Sequence, residues 1–402
     1  MPDAPDFRAS LPDRCDAVVV GAGPAGLCAA LNLVRLGAGT VVLLDRRDPW
    51  REPVSCAEAV RREPFHAVAP LPVAPWVRGP VDHCLFASEN ASMLWTTPGD
   101  GYIIDRALMH RQLAEACRDE GALCHFRTRA LSVGPLVGKE RVLELEVDGV
   151  RRHLRARCVV DASGPGKGLE RGEGLADGTE DLETAAFALV RGMEFDPTAI
   201  QLWYGSRFAP GGYGWVFPSG DGRANVGVVC ARGTGLSSRE GLARYLDLVA
   251  PGATVDSIWG GAIPCGSGAG TLAADMLFKA GDSASMVNGL SRAGIVEAME
   301  AGTLAARHAA RALKAESPGA RLVQYNLYRW TWFFRRGLTY RLTMWIKPWF
   351  GSIPDDVWDL LLTRLAKRPP TGHTWTHTGW ELLRILPRTL GRGNRKGVTG
   401  AT

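Results

Sequence analysis

The feature that most constrains the fold of this chain is a glycine-rich loop between two apolar stretches near its N-terminus. Residues 15–48 read CDAVVVGAGPAGLCAALNLVRLGAGTVVLLDRRD, a pattern that predicts a strand, a tight turn, an apolar helix and a second strand. Gly21 suits the turn, Gly23 lets the backbone approach a pyrophosphate, and Gly26 lets helix and strand pack closely. The helix N-terminus attracts phosphate, and Asp45 at the end of the second strand is placed to hold ribose hydroxyls. The segment therefore predicts a dinucleotide-binding βαβ unit.

A second segment, residues 276–313, indicates which dinucleotide is bound. It reads MLFKAGDSASMVNGLSRAGIVEAMEAGTLAARHAARAL, which predicts a short strand ending at Gly281 and Asp282 and a long helix starting near Gly294. This arrangement is similar to that of FAD proteins of the glutathione-reductase superfamily, where such an aspartate binds the ribityl chain. A helix N-terminus at Gly294 and Ile295 would stabilise the negative charge of reduced flavin. We therefore expect FAD; the plainer alternative is one more buried βα unit.

Composition excludes several other classes of protein. A length of 402 residues with 46% hydrophobic residues is enough for one large or two ordinary domains. A net charge of +5 without long charge runs predicts no nucleic-acid partner. The nine cysteines form no CxxC pair, which favours reduced thiols in a cytoplasmic protein over a disulfide frame or a metal site. Residues 1–14 lack an apolar signal region, and no uncharged apolar run reaches about 18 residues, so we expect no membrane-spanning helix.

An aromatic stripe marks a third segment, residues 211–228, which reads GGYGWVFPSGDGRANVGV. Tyr213, Trp215 and Phe217 alternate along it, so in a strand they point to one side. Neighbouring strand patterns and a Gly-Asp-Gly turn predict an antiparallel sheet here. Two interpretations stay open for the stripe: an ordinary core, or the wall of a long apolar tunnel.

Taken together, these segments make the chain resemble the geranylgeranyl reductase family of flavoproteins, within the para-hydroxybenzoate-hydroxylase-like fold. The likeness extends over residues 16–311 and keeps the order of the family's motifs. The matching stretches are GAGPAG, EPVSCAEAV (52–60), GYIIDRALMHRQLAEACRDEGA (101–122), VVDASGP (159–165), YGWVFP (213–218) and the segment 281–295. The family usually has glycine where this chain has Ala57 and Ala59.

The resemblance implies an α/β fold with a Rossmann-like FAD-binding domain, an antiparallel-sheet substrate domain and a helical C-terminal segment. The implied boundaries are a discontinuous FAD-binding domain of 12–60, 101–175 and 265–315, a substrate domain of 61–100 and 176–264, a C-terminal lid or membrane-contact segment of 316–388, and a tail of 389–402. The positions that match the family's FAD contacts are Ala25, Asp45, Cys56, Ala57, Ala59, Arg106, Ala130, Asp282, Gly294 and Ile295.

The reaction implied by the resemblance is saturation of C=C bonds in a polyprenyl, geranylgeranyl-type lipid or isoprenoid. In this reaction a hydride reaches one alkene carbon and a proton the other. Because an unactivated alkene has no carbonyl to accept charge, cationic character is expected on the tertiary carbon, which an aromatic face stabilises by ~0.5–2 kcal/mol. Tyr213 and Trp215 are therefore expected to be catalytic, and Phe217 to bind substrate beside them. Cys56 is expected to be a thiol that tunes the flavin or donates a proton, the alternative being a small buried hydrophobe.

Two further questions concern the electron donor and rival reactions. The chain has no second Rossmann pattern, so NAD(P)H and a ferredoxin-like donor both stay open. A flavin-dependent monooxygenase acting on an apolar or aromatic small molecule is the alternative function. Halogenases of this fold use a lysine in the N-terminal part, whereas the first lysine of this chain is Lys139.

The C-terminal part contains an unusual concentration of aromatic and basic residues at 325–365. Tryptophan favours membrane interfaces and basic residues favour anionic headgroups, so one interpretation is a peripheral membrane contact. The other is a pair of helices that cap the substrate cavity.

Earlier in the chain, Glu297 and Glu300 are expected to be salt-bridged surface groups.

Overall fold

Two sheets organise the computed structural model of the protein. It describes residues 10–382 and 384, apart from residues 53, 167, 168, 170–174, 176–180, 269, 375 and 377. The predicted tail, 389–402, lies outside the described residues.

The strands, in chain order, are β1 (Arg14–Val20), β2 (Val41–Leu44), β3 (Ala59–Arg61), β4 (Val77–Ala87), β5 (Ser92–Ile104), β6 (Leu123–His125), β7 (Thr128–Val133), β8 (Arg141–Val147), β9 (Val150–Asp161), β10 (Asp181–Arg191), β11 (Ala199–Trp203), β12 (Tyr213–Gly220), β13 (Arg223–Cys230), β14 (Thr254–Cys265), β15 (Ala273–Ala274) and β16 (Leu277–Lys279).

The α-helices are α1 (Pro24–Arg35), α2 (Arg62–Val68), α3 (Arg106–Asp119), α4 (Ser238–Val249), α5 (Ile295–Lys314), α6 (Pro318–Trp332), α7 (Leu338–Gly351) and α8 (Asp355–Leu365). Short 3-10 turns occur at Ala74–Trp76, Gly281–Ala284 and Pro370–Gly372, and a π-helical turn at Phe333–Gly337 joins α6 to α7.

The first sheet is the nucleotide-binding sheet, with strand order β15-β16-β9-β1-β2-β6 and the β7–β8 hairpin attached to β9. β1 pairs in parallel with β2 and β9, and β9 pairs in parallel with β16. Parallel strands covered on both faces are continuous apolar runs, as residues 17–20 of β1 and the whole of β2 are here. α1 and α5 belong to the core on one face of this sheet. The predicted βαβ unit is confirmed.

The second sheet has the order β14-β10-β13-β12-β11-β4-β5-β3. Its pairs are antiparallel, as predicted, except that β11 lies parallel to β4. β5 continues to Ile104, past the boundary predicted at residue 100, because Ile104 still pairs with Val77 of β4. The α/β fold with a Rossmann-like domain and a largely antiparallel second sheet is confirmed.

The two faces of the second sheet bury different side chains. α4 covers one face, where Val216 of β12 packs with Tyr245. The opposite face carries the cluster that contains Trp215 and Phe217. The period of two in β12 therefore separates the aromatic rings from Val216 as the sequence predicts. We call the face with Trp215 and Phe217 the ring face.

The C-terminal helices behave as two parts. α8 packs Trp358 and Leu361 against Met93 and Trp95 of β5, so it caps the second sheet. α6 and α7 instead leave many large apolar side chains exposed. Within the described residues, no helix combines the length and apolarity needed to cross a bilayer.

Candidate active site

The glycine loop after β1 is a place where backbones approach closely. Gly21 has a φ of +105°, and a Cβ there would overlap the carbonyl of Ala162 at the end of β9. A Cβ on Gly26 would overlap the carbonyl of Gly21. Gly23 has no atom within 4 Å of its Cβ position, so the loop is open on that side. The open side of Gly23 is where a pyrophosphate has room to approach.

Asp45, at the end of β2, is held by the same loop. Its carboxylate accepts from the backbone N–H of Ala22 and from that of Arg47 (2.7 Å). Burial raises the pKa of Asp45, against the opposing effect of these two hydrogen bonds. The Asp45 carbonyl accepts from the N–H of Thr128 (2.8 Å), which brings β7 and its residue Ala130 to this end of the site.

The late segment closes the other side of the loop. Gly281 lies against Ala25, and a Cβ on Gly302 of α5 would overlap the Ala25 carbonyl. Asp282 is half-buried, and desolvation raises its pKa while the charge of Arg106 lowers it. The structure thus brings Ala25, Asp282 and Arg106 together. Gly294, the residue before α5, lies beside Asp282.

Two helix N-termini at this site lack a capping side chain, as α2, α7 and α8 also do, whereas three helices have one. α3, α4 and α6 are capped by Asp105, Ser237 and Ser317. Neither Gly23 before α1 nor Gly294 before α5 offers a side chain to cap its helix. Uncapped helix N-termini attract anions, and these two precede α1 and α5, which pack against each other.

A buried polar atom at the same place also lacks a partner. Within the described residues, Oδ2 of Asp161 at the end of β9 accepts no hydrogen bond, although Oδ1 accepts from the N–H of Ser163 (3.0 Å). A buried carboxylate oxygen without a donor is costly. The open glycine loop, the uncapped helices and this oxygen fit FAD, the cofactor of proteins with this fold. The residues that would hold it are those around Gly23, Asp45, Asp282 and Gly294.

The segment before β3 carries Cys56, a half-buried thiol. Its sulfur accepts from the N–H of Glu58 (3.2 Å). Glu58 has a φ of 65°, and its carboxylate accepts from the N–H of Arg106 (3.1 Å) and pairs with Arg78 (2.9 Å). Ala57 and Ala59 pack against the ring face. This segment therefore joins the second sheet to Arg106 at the start of α3.

The three rings of β12 share the ring face but differ in exposure. Trp215 and Phe217 are 6% and 8% exposed and pack with Phe187. Tyr213 is half-buried and continues the row, with its ring centre 6.3 Å from that of Trp215. A Cβ on Gly227 of β13 would overlap the Trp215 ring, so this glycine lets the indole lie across the neighbouring strand.

Tyr213 is engaged on several sides. Its hydroxyl donates to the Ser291 carbonyl (2.7 Å), and the Arg292 guanidinium lies 5.1 Å from its ring centre. Arg292 is buried and ion-paired with Glu183 (2.9 Å), which also pairs with Lys347 of α7 (2.9 Å). Burial alone would raise the pKa of Glu183, but the charges of Arg292 and Lys347 hold it below its usual range.

Glu297 and Glu300 differ in part from the prediction. Both are ion-paired, but each is only 7% exposed, so they are not surface groups. Glu300 pairs with Arg335 (2.6 Å) and Arg336 (2.8 Å) of the π-helical turn. The Tyr340 hydroxyl donates to Glu297 (2.8 Å). The helix that begins at Gly294 is thereby joined to the C-terminal helices.

Sequence reasoning missed several residues of this site. Asn225 of β13 is buried beside the rings, and an asparagine within the apolar run RANVGVVC was a signal that a partner had to exist. Gly227 in the same strand was visible only as a weak strand former. Arg292 and Glu183 carried no local signal, because their pairing joins residues far apart in the chain.

Comparison with known proteins adds three kinds of likeness. The family model described as the geranylgeranyl reductase catalytic domain matches residues 181–258. Digeranylgeranylglycerophospholipid reductase 2 of Methanopyrus kandleri is 31% identical over 345 residues, covering 81% of this chain and 85% of the relative. Digeranylgeranylglycerophospholipid reductase 1 of Methanococcoides burtonii is 29% identical over 360 residues, covering 87% of each.

Solved structures share the fold. A geranylgeranyl bacteriochlorophyll reductase-like protein of Thermoplasma acidophilum matches with a TM-score of 0.81 at 19% identity, over 94% of this chain and 98% of that chain. The FAD-dependent myxobacterial chondrochloren halogenase matches with a TM-score of 0.66 at 19% identity, over 96% and 92%. At these identities the structural matches establish the fold alone.

Proposed function

The chain belongs to the geranylgeranyl reductase family and is an FAD-dependent oxidoreductase, and we propose that it saturates C=C bonds in the polyprenyl chain of an isoprenoid lipid. Relatives that cover most of the chain are named for reduction of a digeranylgeranylglycerophospholipid. The observation that carries the proposal is the packing of Ala57 and Ala59, beside Cys56, against Trp215 and Phe217. An apolar surface thereby borders the segment that the resemblance places at the flavin.

The ring face suits an alkene without a carbonyl group. When bound, FAD in its reduced form supplies a hydride to one alkene carbon. The other alkene carbon receives a proton. When proton transfer runs ahead of hydride transfer, cationic character develops on the carbon that takes the hydride, and an indole face stabilises such charge by ~0.5–2 kcal/mol in a dry site. Trp215, buried among apolar side chains, is the ring to which we assign this role.

Tyr213 receives a different role from the one that the sequence suggests. The Arg292 guanidinium already lies over its ring, and a fixed positive charge disfavours a second cation nearby. Burial raises the pKa of Tyr213 to about 12, so its phenol keeps its proton and donates to the Ser291 carbonyl. We assign to Tyr213 the task of holding the loop before α5.

Cys56 is the group that we assign to proton donation. Its thiol is half-buried beside the ring face, and the Glu58 N–H points at the sulfur. This contact holds the sulfur in a fixed place. A serine in its place would be a far weaker acid at the same position.

The product decides between reduction and oxygenation. Anaerobic incubation of chemically reduced, FAD-loaded protein with a geranylgeranyl lipid is expected to yield product heavier by one H2 per saturated bond, read by mass spectrometry. A hydroxylated product formed only after air is admitted would favour the monooxygenase alternative and contradict the proposal.

Trp215→Ala is expected to slow saturation about tenfold while FAD content stays unchanged. Cys56→Ser with full activity would exclude the proposed thiol.

We also propose that α6 and α7 contact a membrane surface. Phe334 and Trp345 are 72% and 80% exposed. They lie in an apolar stripe completed by Leu322, Val323, Leu327, Trp330, Leu338 and Leu342. Arg329 lies over the Trp330 ring of the stripe, and Arg341 lies over the ring of Phe333, the residue before Phe334; basic residues there suit anionic headgroups. Lys347, by contrast, is buried in the Glu183 ion pair and is not available to a headgroup.

Vesicle binding tests this contact. The double variant Phe334→Glu, Trp345→Glu is expected to lower sedimentation with phosphatidylglycerol vesicles about tenfold or more. Each change removes apolar area that the membrane would bury and adds a negative charge that the anionic headgroups repel. The matched control is Val137→Glu, at an exposed apolar residue of the first sheet's hairpin. Equal sedimentation of both variants would contradict membrane contact through α6 and α7.

A further inference from the structure

Asn225 is a buried polar residue on the ring face of the second sheet. It is 6% exposed and stands opposite Phe217 in the β12–β13 pair. Its Oδ1 accepts from the indole N–H of Trp215 (2.9 Å), and its Nδ2 donates to the Cys56 carbonyl (2.8 Å). The Asn225 side chain therefore joins Trp215 of β12 to the backbone of Cys56.

We propose that Asn225 is a positioning residue that fixes the Cys56 backbone and thereby sets where the thiol stands relative to the substrate. The inference deepens the proposed function and rests on the role assigned there to Cys56. Asn225 touches neither the sulfur nor the reacting carbons in this role. It acts through the Cys56 carbonyl.

The segment around Cys56 needs such an anchor. Residues 54–58 belong to no helix or strand, and Glu58 has a left-handed φ of 65°, which is uncommon for a residue other than glycine. Two residues after Cys56, the Glu58 carboxylate holds the segment to Arg106 and Arg78, and the Glu58 carbonyl accepts from the N–H of Ile104 (2.9 Å). Asn225 supplies the tie at Cys56 itself.

The chemistry of the two partners selects an amide. The Trp215 indole N–H is only a donor and the Cys56 carbonyl is only an acceptor. Asparagine satisfies both at once with one oxygen and one NH2 group. Aspartate keeps the acceptor for Trp215 but sets a second oxygen against the Cys56 carbonyl, which removes the tie without changing the size of the side chain.

Thiol labelling tests the proposal without turnover. In FAD-loaded protein without substrate, Asn225→Asp is expected to raise the rate of iodoacetamide labelling at Cys56 about fivefold, the effect of one lost buried hydrogen bond. Seven of the nine cysteines are buried, and Cys84 is half-buried, so its labelling in the same sample is the internal reference. Peptide mass spectrometry reads both sites. In lipid reduction the variant is expected to lose about tenfold in kcat with KM changed less than about twofold.

Trp215→Phe is the matched control, because it removes the indole donor and leaves the tie between Asn225 and Cys56. It is expected to label Cys56 at the wild-type rate. An Asn225→Asp protein that holds FAD and labels Cys56 as the wild type does would overturn the proposal. If that variant does not hold FAD, Asn225→Ser replaces it with the same expected labelling ratio. Altered labelling in a protein whose wild type reduces no lipid would overturn the proposed function and leave the positioning role standing.

Discussion

Glycine serves two different purposes in the two sheets of this protein. Around the nucleotide-binding sheet, a Cβ at Gly26 would overlap the Gly21 carbonyl, and one at Gly302 would overlap the Ala25 carbonyl. On the second sheet, a Cβ at Gly214 or Gly227 would meet the ring of Tyr245 or Trp215. At these positions, glycine lets two backbones approach each other in the first case, and in the second it makes room for a ring from α4 or from the neighbouring strand. An overlap with a ring can be relieved by replacing the ring with a smaller side chain, whereas an overlap with backbone cannot be relieved in this way.

The largest effect is expected where the second sheet relies on buried charge. Glu183→Gln leaves Arg292 and Lys347 without their shared carboxylate, so the free energy of unfolding is expected to fall by about 3–5 kcal/mol. The comparison variant, Glu144→Gln, breaks the exposed pair with Arg151 and is expected to cost at most ~1 kcal/mol. Urea unfolding measures both. Similar small losses would mean that the buried cluster contributes little to the fold.

A smaller loss is expected at the backbone contact of the first sheet. Gly26→Ala places a methyl group on the Gly21 carbonyl and is expected to destabilise the apoprotein by about 1–3 kcal/mol and to abolish FAD binding. Gly23→Ala, whose Cβ meets nothing within 4 Å, is expected to leave apoprotein stability unchanged and still weaken FAD. Calorimetry of the apoproteins and FAD titration separate the two effects. Normal stability of the Gly26 variant would refute the backbone contact.

The ring contact of the second sheet is expected to be cheaper to break and open to rescue. Gly227→Ala is expected to cost about 1–2 kcal/mol by pushing the indole of Trp215 aside. In a Trp215→Leu background the same change is expected to cost about half as much, which a double-mutant cycle of unfolding free energies measures. Strict additivity would show that the two residues do not press on each other.

The smallest effect is expected at Asp282 and concerns pH. Burial raises the pKa of Asp282 above its ordinary 3.8, so its favourable contribution is present below that pH and is lost as pH rises through the folded-state pKa. Asp282→Asn is therefore expected to stabilise the apoprotein by about 1 kcal/mol at neutral pH, with the gain vanishing near pH ~4. Asp221→Asn, at an exposed carboxylate, is the control. A gain that is constant with pH would contradict a titrating Asp282.

The difference between the sheets also explains what the sequence reveals. Backbone contact leaves a local trace, since Gly21, Gly23 and Gly26 stand at fixed spacing before a helix and mark the first sheet directly. The alternation of Tyr213, Trp215 and Phe217 likewise predicts a shared face. Spacing along one strand does not reveal which residue of another strand receives the Trp215 N–H or which carboxylate pairs with Arg292.

The C-terminal helices illustrate the same limit. Residues 325–365 contain one run of aromatic and basic side chains, and its composition is compatible with both a membrane contact and a cap. The structure divides the run, with α8 packed on β5 and the stripe of α6 and α7 exposed. Which helix is covered depends on the tertiary packing of its face against the second sheet, and the composition of the run does not reveal that packing.

The most direct test of the shared site is a crystal structure of the FAD-loaded protein with a bound geranylgeranyl lipid. The proposed function predicts that the prenyl chain lies on the Trp215 and Phe217 rings, with one double bond between the flavin and the Cys56 sulfur. A lipid seated only on the exposed stripe of α6 and α7, with the rings packed as an undisturbed core, would contradict it.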